Sequence, residues 1–228
     1  MRLEDLNWMD VEKYLQHEDR LMLVFGSTEQ HGYLSLLTDI KIPLALADSA
    51  SQATGVLVAP SLNFGVSPYF LAYPGTISLR VSTLIAAAED IVRSAYGHGL
   101  RRILIINGHG GNSPARNHLH EVNNSLPNLK LNWYDWWSSH SVEAVAVKHN
   151  IKPAHANWLE VFPFTIVGEM PEGNKTPPQV PSAIVDAKTT REVYGDGTFG
   201  GPYRVNDDIM HELFAAALED ILKLLEFN

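Results

Sequence analysis

Three short stretches of the chain carry residues whose types and spacing could do chemistry. In GSTEQHGYLSLLTD, Glu29 and His31 are one residue apart, so in an extended segment both side chains fall on the same face and can converge on one point, with Asp39 following in the same loop. In NGHGGNSP, His109 stands between Gly108 and Gly110, where missing side chains let the backbone turn sharply and approach a ligand. In HANWLE, His155 precedes Glu160 by five residues, just after Pro153. Carboxylate oxygens and imidazole nitrogens in such a set suit zinc, manganese or iron(II), with ligand softness and metal supply deciding among them.

The elements around these stretches explain how they could meet. Leu21–Phe25 is a short apolar run that stops at Gly26 and Ser27, as a buried strand ending in a polar loop does. A helix is expected over Ile40–Ala53, a second strand over Val56–Ala59, and a structured loop rich in Pro, Gly and aromatics over Pro60–Leu79. Ser82 or Thr83 could cap a helix running to about Tyr96, Arg102–Ile106 supplies a third strand, and Asn112 or Ser113 could cap a helix with Pro114 in its first turn. Leu129–Tyr134 reads as a fourth strand, Ser139–His149 as a helix and Asp207–Phe227 as an amphipathic terminal helix. Strands alternating with helices predict an α/β fold, a mostly parallel sheet covered on both faces, because parallel neighbours need long crossovers. In such sheets ligands bind beyond the carboxyl ends of the strands, where the loops after strands one and three lie. The region 171–202 is long for a loop with at most short elements, which predicts that it covers a site or a subunit interface.

Composition sets limits on function. With 228 residues a single domain over the whole length is expected. A formal charge of -9, from 17 Lys and Arg against 26 Asp and Glu, argues against nucleic acid as a partner. There is no cysteine, which excludes disulfides, thiolate zinc sites and cysteine nucleophiles, and no GxSxG elbow supports a serine nucleophile. No stretch reaches the roughly 18 apolar residues of a membrane helix and the N-terminus does not read as a leader, so a cytoplasmic protein is the simplest expectation.

Each candidate also has a plainer explanation. A histidine near a strand end is commonly a hydrogen-bonded structural residue, Glu29 could be a surface carboxylate, and NGHGGN could cradle a phosphate at a helix N-terminus, although it has no P-loop lysine. Trp133, Trp136 and Trp137 fit a buried strand and its end, while Trp136 or Trp137 could instead wall a substrate pocket. His17, His98, His118, His120, His140, His149 and His211 lack any such context and are expected to be surface or structural residues. The metal assignment gains from coincidence, since two strand-end loops of one sheet both carry ligand-type residues.

Taken together, GSTEQHG with its TD at Thr38–Asp39, the PGT at Pro74–Thr76, NGHGGN, HA with Glu160, and the late GTFGGP resemble the creatininase family of amidohydrolases from about Gly26 to Pro202. The resemblance implies a three-layer α/β/α sandwich, assembly as a homohexamer, and two divalent ions that hydrolyse a C–N bond of a cyclic amide, formamide or short peptide through a metal-bound hydroxide. It also implies that Glu29 and His31 bind different ions, that Asp39 bridges them, that His109 is a further ligand, that His155 is a catalytic histidine suited to pass a proton to the leaving nitrogen, and that Glu160, where the family has a carboxylate at the site, is a second catalytic residue. Creatininase proper has a tyrosine and a ligand glutamate after the NGH histidine, where this chain has Gly110 and Gly111, so Glu160 becomes the replacement ligand and creatinine an unexpected substrate. The loop from Gly32 to Asp39 is one residue shorter than the family's usual form and lacks its histidine. Tyr33, Gly110, Gly111, Trp136 and Trp137 are the expected substrate contacts. Hydrolysis of a C–C or lactone bond, or metal binding without turnover, remain alternatives.

Overall fold

The computed structural model describes residues 1–228. Along the chain run α1 (Trp8–Tyr14), β1 (Arg20–Phe25), α2 (Thr38–Thr54), β2 (Leu57–Val58), α3 (Val81–Gly97), β3 (Arg102–Asn107), α4 (Ser113–Ser125), β4 (Lys130–Asp135), α5 (His140–Lys148), β5 (Asn174–Lys175), α6 (Ala187–Tyr194), β6 (Gly201–Pro202) and α7 (Asp207–Leu224). The first four strands form one sheet in the order β2-β1-β3-β4, parallel at every pairing, and β5 pairs antiparallel with β6.

The uninterrupted apolar runs of β1 and β3 follow from burial on both faces. Met22, Val24, Leu104 and Ile106 point to one side, where α2, α5 and α7 add Ile42, Leu46, Val142, Val145, Leu213 and Ile221. Leu21, Leu23, Phe25, Ile103 and Ile105 point to the other, where α3 and α4 add Leu84, Ala88, Val92, Ala115, Leu119 and Val122. The three layers are therefore helix, sheet and helix. No helix is long and apolar enough to cross a membrane.

Chain direction places the site. From β1 the chain leaves through α2 to β2 on one side, then returns through α3 to β3 on the other, so the carboxyl ends of β1 and β3 flank the point where strand order reverses. A crevice opens at such a point.

Several local expectations change. Helix α2 starts at Thr38, so Asp39 sits in its first turn and not in the preceding loop. Asn112 caps nothing; its amide donates to Gly26 O and Asn107 Oδ1, tying the NGHGGN turn to the end of β1. The stretch 171–202 keeps to the short elements expected of it, namely β5, α6 and β6. Helix α1 was not expected, although Asn7 caps it by accepting from Met9 N and Asp10 N.

Candidate metal centre

Glu29, His31, Asp39, His109 and Glu160 converge in the crevice, and all five are buried. Glu29 and His31 come from the loop after β1, Asp39 from the first turn of α2, His109 from the turn after β3, and Glu160 from a 3-10 turn over Trp158–Glu160. The fit between α2 and the strand end is close enough that a Cβ on Gly108 would lie 1.9 Å from Asp39 O, so only glycine lets the helix start there.

The ligand atoms of these five residues form two groups that share Asp39, while Glu29 and His31 also converge with His155 in a third. Asp39 Oδ1 is 3.0 Å from His31 Nε2, which is 3.6 Å from Glu160 Oε1. Asp39 Oδ2 is 3.0 Å from His109 Nδ1, which is 3.4 Å from Glu29 Oε1. Two ligands bound at about 2.1 Å to one tetrahedral ion stand roughly 3.4 Å apart, so these separations suit donors around an ion. Glu29 Oε2, His31 Nε2 and Asp39 Oδ2 are buried without any hydrogen-bond partner, which is costly for groups of this polarity. The donor set and its unpartnered atoms fit divalent cations.

Backbone contacts orient the ligands. His109 Nε2 donates to Val66 O at 2.9 Å, which leaves the Nδ1 lone pair facing Glu29 and Asp39. His31 Nδ1 lies 3.3 Å from Glu29 O and donates there, leaving Nε2 toward Asp39 and Glu160. Ala156 N donates to Glu160 Oε2 at 2.6 Å, so Oε1 is the oxygen left for the centre.

The electrostatics agree. Burial works against charge on His31, but the carboxylates of Asp39 and Glu160 more than offset it and carry its pKa well above the ordinary value. For His109 burial is likewise outweighed, by Glu29 and Asp39, and the pKa rises to about 10. Burial also disfavours the Asp39 carboxylate, yet His31 and His109 hold it well below the usual range. The three carboxylates thus create a strong local demand for positive charge. His155 behaves differently, since burial first, and then the charge on His31, push it down to about 4.

Above the cluster lies a cavity of about 370 Å³. Glu29, Asp39, His109 and Glu160 form its floor, while Tyr69, Phe70, Trp137, Leu159 and Phe199 form apolar walls and His155 stands at the boundary. His155 stacks on Phe70 with ring centroids 4.9 Å apart, and its Nδ1 lies 3.9 Å from Glu29 Oε1.

The expected substrate contacts do not all line the cavity. Gly110 and Trp137 line it. Trp136 does not, being 1% exposed in the core against Phe162, because the 3-10 turn after β4 sends the two neighbouring indoles to opposite sides. Tyr33 also lies elsewhere, in edge contact with Tyr203 and beside Glu169–Glu172, since the chain turns away at Gly32. Gly111 sits behind the His109 ring against Val66 O. Tyr69, Phe70, Leu159 and Phe199 were not anticipated, although the aromatics of the Pro60–Leu79 loop and the GTFGGP segment were visible signals.

The creatininase (creatinine amidohydrolase) family matches residues 4–225. The chain belongs to the creatininase family. A creatinine amidohydrolase of Pseudomonas putida is 34% identical over 116 residues, 48% of this chain and 45% of that protein. A mycofactocin precursor peptide peptidase of Mycolicibacterium smegmatis is 36% identical over 102 residues, 42% of this chain and 41% of that protein. The matched part thus spans less than half the length of these curated relatives. A solved manganese form of creatininase superposes with a TM-score of 0.82, at 22% identity, over 97% of this chain and 96% of that one, a likeness of fold.

Proposed function

We propose that this creatininase-family chain is a metal-dependent hydrolase that cleaves the C–N bond of a small amide, such as a cyclic amide, a formamide or a short peptide. The observation that carries the proposal is the pair of donor groups sharing Asp39, whose buried oxygens and nitrogen have no other partner. The relatives named for creatinine and peptide hydrolysis both act on C–N bonds, and the manganese in the similar solved structure agrees with an oxygen and nitrogen donor set.

In this proposal Glu29, Asp39 and His109 would hold one ion, and His31, Asp39 and Glu160 would hold the other. Such ions lower the pKa of water toward neutrality and polarise a carbonyl. The chain itself supplies the enclosure. Tyr69, Phe70, Trp137 and Phe199 exclude bulk water from the reacting group, which strengthens every charge interaction inside. Gly110 leaves space at the floor, since a Cβ there would meet only Trp137 Cζ2 at 3.8 Å. His155 lines the same cavity as Glu29, its Nδ1 3.9 Å from Glu29 Oε1, so a substrate lying over the pair can touch both.

The test combines elemental analysis of protein purified without chelator with turnover of a panel of amides, formamides, dipeptides and lactones. His109→Ala is expected to lose metal and activity together, and His155→Asn to keep metal and lose turnover. Full metal content and full activity in both variants would refute the assignment, and turnover of lactones alone would move it to another bond.

A further inference from the structure

Gln30 lies between two of the proposed ligands, yet its side-chain amide meets His155 and backbone groups of Gly32 and Gly197. Its amide orientation is fixed by two backbone groups of opposite polarity. Gly32 N donates to Gln30 Oε1 at 3.1 Å, so that atom must be the oxygen, and Gln30 Nε2 donates to Gly197 O at 3.0 Å, so that atom must be the nitrogen. The same Nε2 lies 2.9 Å from His155 Nε2. An amide nitrogen can only donate, so the imidazole nitrogen it meets must present a lone pair, and in a neutral ring the hydrogen then sits on Nδ1.

From this geometry we propose that Gln30 is a positioning residue that fixes His155 as the neutral Nδ1–H tautomer, so that His155 meets the substrate as a hydrogen-bond donor. It is then neither a metal ligand nor a proton shuttle, because both need an Nδ1 lone pair on the cavity side. The natural acceptor is the carbonyl oxygen, whose negative charge grows as water attacks; a preorganised neutral donor stabilises that charge without changing its own protonation. Burial between Phe70 and Phe199 also disfavours the imidazolium, in keeping with a neutral ring. The competing partner is Gln30 O, 3.2 Å from His155 Nε2, which would instead take a hydrogen from that nitrogen. It is more distant than the amide and would set two hydrogens against each other between the side chains.

The assignment rests on the cavity being the substrate site, and it is tested without substrate. Protein labelled with 15N-histidine, with the His155 signals identified by their loss in His155→Asn, reports by solid-state NMR which nitrogen carries the hydrogen, in both metal-free and zinc-loaded protein. Nδ1–H is expected in both. Nε2–H in the wild-type protein, or zinc-bound Nδ1, would overturn the proposal whatever the variants do. In Gln30→Glu the new carboxylate should draw a hydrogen onto Nε2, and on a turned-over amide kcat should fall 10- to 100-fold with KM and metal content unchanged, the loss found when an orienting partner is removed. An unchanged nitrogen pattern in a folded Gln30→Glu would also overturn it. If the wild-type tautomer is as expected but no amide is cleaved, the failure belongs to the proposed reaction and not to Gln30.

Discussion

Gly111→Ala is expected to perturb the candidate metal centre from behind. The φ of Gly111 is not in the left-handed region, so alanine carries no backbone penalty and the whole effect is steric. Its Cβ would stand 2.0 Å from Val66 O and 2.5 Å from His109 Nε2. An ordinary carbon–oxygen contact is about 3.4 Å, so carbonyl and methyl must part by more than about 1 Å in a closely packed interior. The hydrogen bond between those same two atoms, 2.9 Å long, is the one that orients His109, and it cannot survive a shift of that size. Loss of such a partner typically weakens metal binding 10- to 100-fold, or about 1.4 to 2.8 kcal/mol. Competition with a chromophoric chelator measures the affinity, and circular dichroism checks the fold. Gly110→Ala is the matched control: its Cβ meets only Trp137 at 3.8 Å, so metal affinity should stay within about twofold. A folded Gly111→Ala with wild-type affinity, or an equal loss in Gly110→Ala, would refute the reasoning.

Trp136→Ala should cost about 3 to 5 kcal/mol of stability, as a large aromatic deletion in a packed core does. Trp137→Ala should cost far less stability and instead raise KM; chemical denaturation and steady-state kinetics separate the two, and similar stability losses would contradict the assignment of one indole to the core and the other to the cavity. Lys175 Nζ donates to Tyr194 O at 2.6 Å and Thr198 O at 2.7 Å and pairs with Asp196, holding the segment that carries Phe199. Lys175→Met should remove about 1 to 3 kcal/mol locally and speed amide exchange over residues 194–200 while β1 and β3 stay protected; unchanged exchange there would count against the clamp.

The sequence was most legible where one physical cause acts alone. Both-face burial makes β1 and β3 unbroken apolar runs, so their places and the loops after them could be read directly. Asp39 was found but placed in the wrong element, because Leu37 opens α2 with no side-chain cap to mark it. Trp136 and Trp137 were both plausible walls, since the direction of each indole depends on a short 3-10 turn that leaves no periodic trace. The remaining walls were hidden for a different reason. Phe70, in a 3-10 turn, and Phe199, in an irregular segment, lie far apart in the chain and meet edge to face beside His155, which itself reaches Gln30 across the fold.

The sharing of Asp39 between two donor groups also bears on how the protein folds. The groups draw on residues from Glu29 to Glu160, so the one with His109 is complete only when the crossovers through α2 and α3 have closed, and the one with Glu160 only when the 3-10 turn at Trp158–Glu160 has docked. Contacts of such long sequence separation form late and carry the loop-closure entropy of everything between them. A cation therefore has little to hold in the unfolded chain and cannot template its early steps. Under the proposed metal dependence it would act as a latch on the finished structure, adding about 2.7 kcal/mol for each site whose free metal exceeds Kd a hundredfold, and slowing escape from the native state rather than speeding arrival.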